Sequence, residues 1–159
     1  MEHSDELAHD LDDLWKKDIL EQRCRNNAPS IFGRYLARGR EATNKVYDKL
    51  HEAYTNGEIS ESQYIQVDAV DLLWEGKVRT TQIEIILVIE ISWKVAMHDV
   101  ERAIARAKIL QQVGFYALPV VIGRDWDEAA KQAVVVQVTN GSVKSDSWSL
   151  VMTKLGVIR

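Results

Sequence analysis

Apolar residues recur along this chain with two different periods. Leu7, Leu11 and Leu14 stand four and three apart, one face of a helix, and the pattern fails at Asp18 before it becomes a heptad. Asn26-Asn27-Ala28-Pro29-Ser30 then breaks the rhythm, and Pro29 suits the first turn of a second helix. That second helix is expected to carry Ile31, Phe32, Tyr35, Leu36, Ala42, Val46, Leu50 and Tyr54 inward and to stop at Asn56-Gly57. From Ile65 the period falls towards two. The stretches 65–74 and 82–91 read as β-strands around a turn at Glu75-Gly76-Lys77, paired as a hairpin with a linker of about seven residues. Residues 98–113 return to helical spacing through Val100, Ala103, Ile104, Ala107 and Leu110, with Gly114 as the stop. Residues 115–122 form a further apolar strand, and Pro119 within it points to a sheet edge or a bulge. A loop is expected over 123–127, then a short helix and a Val-rich strand over 129–139. Helix, hairpin, helix and strand together predict one mixed sheet in an α/β or α+β domain.

Composition narrows the class without naming a function. A chain of 159 residues, 46% hydrophobic and 28% charged, suits a single globular domain. Cys24 is its one cysteine, so no internal disulfide forms and a reducing compartment is expected. The acidic start Met1-Glu2-His3-Ser4-Asp5-Glu6 lacks the features of a secretory signal, and no apolar run approaches the roughly 20 residues of a membrane helix. Cytoplasmic placement follows as the expectation. A net charge of −4 argues against a chain drawn to nucleic acid by its overall field, so any such contact needs a local basic patch or a cleft shared in an oligomer.

The candidate chemistry lies in the strand from Gln82. Alternation puts Ile83, Ile85, Leu87, Ile89 and Ile91 on one face and Glu84, Ile86, Val88, Glu90 and Ser92 on the other. Both faces are mainly apolar, so the strand is central and covered on both sides, and Glu90 is costly to bury without a partner. Glu84 shares its parity but lies about 20 Å away at strand rise. The partner acid must come from the preceding strand, from Asp68 or Asp71, whose spacing of three sends them to opposite faces. A carboxylate pair on adjacent strands suits Mg²⁺, which takes oxygen ligands and keeps several waters. The alternative is structural: Glu90 at an exposed strand end, and the aspartate paired with an arginine.

At these residues the chain resembles the PD-(D/E)XK nuclease superfamily, over roughly Leu14 to Gly123. Asp71-Leu72-Leu73-Trp74-Glu75-Gly76 matches the Asp that opens a short apolar strand, and Val88-Ile89-Glu90-Ile91-Ser92 matches the following Glu-x-Lys strand except at its last residue. The resemblance implies a restriction-endonuclease-like mixed β-sheet flanked by helices, with an extended N-terminal helical region over 1–60 and the core over 61–159. It further implies Mg²⁺ held by Asp71 and Glu90, Glu21 as an accessory acid, and DNA as the partner. Ser92 stands where the family has lysine; Lys94, of the same parity and about 6.6 Å further along, is the candidate replacement, with Ser92 orienting water. Arg102 and Arg106, one helical turn apart, are expected to hold phosphate, although Asp99 could neutralise Arg102 as a helix-surface pair.

Three readings remain open: an active Mg-dependent deoxyribonuclease, a catalytically inactive nuclease-fold module that binds or forms a homo-oligomer through its N-terminal helices, and an unrelated α/β ligand-binding domain. Asp71 and Glu90 on opposite faces of the sheet would favour the last.

Overall fold

The computed structural model describes residues 2–135. The expected Val-rich strand over 129–139 therefore lies partly, and everything beyond it wholly, outside the described residues.

Four strands form one mixed sheet in the order β1 (Leu36–Glu41), β2 (Leu72–Val78), β3 (Glu84–Val95), β4 (Ala117–Trp126). β1 and β2 are antiparallel, as are β2 and β3, while β3 and β4 run parallel. Parallel neighbours need a crossover. Here it is α4 (Met97–Val113), which ends on Gly114 in the left-handed conformation, φ 107°. Among the described residues β4 is an edge strand, where a proline costs least, and Pro119 sits in unbroken register opposite Val88. The strand runs on through 123–126, which the sequence pattern assigns to a loop.

The two faces of β3 are covered by different layers. Ile85, Leu87, Ile89 and Ile91 pack with Cys24, Ala28 and Phe32 of α1 (Glu2–Gly33). Ile86 and Val88 pack with Val46 and Leu50 of α2 (Thr43–Thr55), Val67 of α3 (Glu61–Asp68), and Ala107 and Leu110 of α4. The alternation along this strand is thus the division between layers.

Four further expectations fail where the fold departs from the sequence pattern. The helix does not break at 26–30; α1 passes through Pro29. A proline inside a helix costs about 3 kcal/mol, but Cys24, Ala28 and Phe32, on one face at spacings of four, are all buried against the sheet. Residues 36–41 are a strand and not helix, because Leu36, Ala37, Arg40 and Glu41 pair with β2 across a bulge between Ala37 and Arg40. The sheet therefore takes a strand from the region before residue 60. Residues 61–68 are helix and not strand. Ser60 accepts from the Gln63 backbone at 3.1 Å while the Gln63 side chain accepts from the Ser60 backbone at 2.9 Å, a capping box. Glu75-Gly76-Lys77 lies within β2, and the chain turns at 79–83, where Val78 N donates to Ile83 O and Gln82 takes φ 61°.

Candidate active site

β3 places Glu90 in its middle, buried, with five more strand residues after it. It is not at an exposed strand end. Leu72 lies opposite Ile89 in the antiparallel register, so the next step back sets Asp71 opposite Glu90. Cross-strand neighbours share a face of the sheet, and Asp71 lies close enough to push the Glu90 carboxyl upward. Asp71 itself lies in the bend just before β2, where side chains of both helical layers can reach it.

Each acid is held by several groups. Asp71 Oδ2 accepts from the Ile91 backbone N–H at 2.8 Å, and its Oδ1 lies 3.6 Å from Lys17 Nζ. Arg25 donates to the Asp71 carbonyl and pairs with Glu21 at 3.1 Å. Arg106, also buried, pairs with Glu90 through Nη1, which donates to the Ala69 carbonyl at 3.3 Å as well. Burial pushes the Glu90 carboxyl up most strongly; Arg106 opposes this and Asp71 reinforces it, leaving its pKa at about 7. A carboxyl poised near neutrality beside a second acid, under a lysine and an arginine, is a pattern concentrated at functional sites.

The remaining sequence candidates fall into place around this pair. Glu21 is on α1, one helical turn from Lys17 and one from Arg25, so its link to the pair runs through Arg25. Ser92 Oγ donates to the Lys94 carbonyl at 3.0 Å and so braces its own strand. Lys94 is exposed and opposite Asp125 of β4, four residues past Glu90, or about 13 Å at strand rise. Arg102 and Arg106 do not act together: Arg102 pairs with Asp99, and Arg106 is committed to Glu90. Asp99 is buried and also accepts from the Ala96 backbone N–H at 2.9 Å, capping α4. Asp68 ends α3 and accepts from the Tyr47 hydroxyl at 2.8 Å. Cys24 is inert packing, its thiol pushed up to about 11 by burial and then by Glu21.

One group went unnoticed in the sequence. Lys17 is the lysine closest to the acids, yet it belongs to a helix more than fifty residues upstream. The signal was present as the stripe Lys17, Glu21, Arg25 at spacings of four. Trp93 is flanked by Lys16 Nζ at 5.5 Å and by Arg124 at 5.9 Å from its ring centroid, so cations from α1 and β4 gather beside the strand end.

Among the described residues no group of three or more His, Cys, Asp or Glu could hold a metal ion. The acids here supply two carboxylates, a set that suits a hydrated hard cation such as Mg²⁺. Among the described residues no helix is long and apolar enough to cross a membrane. Comparison with protein-family models, with curated proteins and with solved structures finds no match.

Proposed function

We propose that this chain is a PD-(D/E)XK-like nuclease domain that hydrolyses phosphodiester bonds of DNA with Mg²⁺, using Asp71 and Glu90 as its acids. One observation carries the reading: Asp71 and Glu90 face each other across β2 and β3 in register, with Lys17 Nζ 3.6 Å from Asp71. The strand order β1-β2-β3-β4, antiparallel until the final parallel pair, with α1 on one face and the α4 crossover on the other, is consistent with a restriction-endonuclease-like core.

Asp71 and Glu90 are the residues that would hold Mg²⁺. When bound, the ion polarises a phosphoryl oxygen and lowers the pKa of coordinated water. The chain's own residues do the rest. Burial and Asp71 keep Glu90 near neutrality, where it can hold or release a proton at physiological pH. Arg106 fixes the Glu90 carboxyl, and the Ile91 N–H fixes that of Asp71. We assign the family lysine's place to Lys17, on α1, in preference to Lys94. Its ammonium, beside Asp71, is the cation available to charge developing on the phosphate. Arg124 adds positive charge beside Trp93 despite a chain total of −4, while Lys16 there is paired with Asp12 at 2.8 Å.

The test is cleavage of plasmid and linear DNA in Mg²⁺ or Mn²⁺, with EDTA as control. Glu90→Ala abolishes it and Lys17→Ala lowers kcat by about 10²-fold or more. Cleavage that persists in EDTA, or survives Glu90→Ala, sinks the assignment.

A second reading has its own observation. Leu11, Leu14 and Trp15 of α1 are 64%, 60% and 65% exposed, an apolar strip on a helix whose other end is packed on the sheet. An inactive module of the same fold that assembles through α1 would use that strip. Activity in the cleavage assay eliminates this alternative.

A further inference from the structure

A broad concavity lies away from the acidic pair. It opens further along the sheet, beyond the packed layer of Leu73 and Val88, and encloses about 800 Å³, the size of small-ligand sites. Glu75 in its wall is four residues from Asp71, roughly 13 Å along β2, so the two places are distinct.

Its lining is cationic in an acidic protein. Arg38, Arg40, Lys45, Lys49 and Lys77 face two acids, Glu75 and Glu84, for a local balance of five positive against two negative. Glu75 is satisfied from within, held by Arg40 and by Lys45 at 3.0 Å. Burial pushes its carboxyl up, but these two cations outweigh that and hold it below the ordinary range. Lys77 lies opposite Glu84 in register, at the mouth of the β2–β3 turn. Arg38, Lys49 and Lys77 have no carboxylate within ion-pair distance among the described residues.

Arg38 is held there at a cost. It takes φ 55°, left-handed backbone that a long side chain avoids, within the β1 bulge. The next residue must be glycine, because a Cβ on Gly39 would meet the Trp74 indole nitrogen at 2.5 Å. A strained residue kept in place by such close packing is the kind of feature that gathers at binding sites. On the opposite wall Tyr116 is 69% exposed, and Phe115 beside it carries Lys49 Nζ 5.0 Å above its ring. Phosphate-seeking cations on one wall and an open aromatic ring on the other match the two halves of a nucleotide.

We propose that this cavity is a second binding site, for a phosphorylated nucleoside whose phosphate meets Arg38 and Lys77 and whose base stacks on Tyr116. The ligand is a free nucleotide or the 5′-phosphorylated end of a strand; the chemistry is shared. The site stands independently of the nuclease reading.

Calorimetric titration of the whole chain in EDTA, with AMP, a 5′-phosphorylated trinucleotide, inorganic phosphate and adenosine, decides it. AMP binding identifies a free nucleotide, whereas binding of the trinucleotide alone identifies a strand end. In either case Arg38→Gln with Lys77→Gln weakens binding at least tenfold and Tyr116→Ala about fivefold or more. Glu90→Gln leaves both affinities unchanged, which separates this site from the acidic pair. Arg38→Gln alone, in the same left-handed backbone, guards against a fold defect and still lowers affinity, with an unchanged circular dichroism spectrum. The proposal is overturned if inorganic phosphate binds as tightly as AMP, if neither nucleotide binds, or if the substitutions change nothing.

Discussion

Glu90 is a carboxyl in the middle of a covered strand, and its energetics follow from three neighbours. Burial and Asp71 disfavour its charge, Arg106 favours it, and the balance sets a pKa of about 7, above the 4.5 ordinary for glutamate. The folded state therefore keeps a proton between pH 4.5 and 7 that the unfolded chain has released. Stability linked to that proton is fully present below about 4.5 and is lost as pH rises through about 7. Urea unfolding at a series of pH values should show this fall, and Glu90→Gln should flatten it. Added Mg²⁺ should also flatten it if the acids hold the ion, since it stabilises the ionised pair. Arg106 has the converse role. Removing it leaves the glutamate buried without its counter-charge, so Arg106→Ala is expected to cost about 3–5 kcal/mol near neutral pH, read from the urea midpoint. No slope with pH, or a loss under about 1 kcal/mol, would contradict the buried pairing.

At the scale of the element, α1 links the sheet core to the acidic pair. Its buried stripe Cys24, Ala28, Phe32 anchors it to the sheet, and its polar stripe Lys17, Glu21, Arg25 reaches the bend at Asp71. Phe32 is fully buried against Trp74, ring centroids 6.0 Å apart, and Phe32→Ala should cost about 3–5 kcal/mol. Because that loss frees α1, the proposed DNA cleavage should also weaken through the displaced Lys17, and a variant that unfolds more readily yet cleaves normally would separate the helix from the proposed site. Pro29 sits inside the same helix without need of its ring. Pro29→Ala should raise stability by about 1–3 kcal/mol, seen as a higher Tm. Helix α3 shows how a small signal decides an element. Only Val67 of its residues is buried, so the Ser60–Gln63 capping box supplies the specification that periodicity lacks.

For the whole molecule, the N-terminal part of α1 carries an exposed apolar strip. Leu11, Leu14 and Trp15 project from the part of the helix that precedes its buried stripe. We propose that a second copy covers them, giving a symmetric helix pair, the commonest closed assembly. Light scattering should then report twice the chain mass of 18.1 kDa, reverting to one chain in a Leu14→Glu/Trp15→Glu variant. A monomer at high concentration would rule this out.

The sequence by itself determined that a mixed sheet with helices forms, that the strand through Glu90 is central, that 98–113 is a helix, and that Pro119 marks an edge or a bulge. These rest on alternation and on helix spacing, which are local and survive in any context. Asp71 over Asp68 was left open by parity, and only the β2–β3 register resolved it. Periodicity also could not show that 36–41 joins the sheet, since that strand is made by its partner, nor that α1 survives Pro29, since burial elsewhere offsets the cost. The lysine beside Asp71 was beyond it for the same reason. Lys17 and Asp71 are neighbours only because a helix fifty residues away packs on the sheet, and proximity of that kind is written in the packing and not in the spacing.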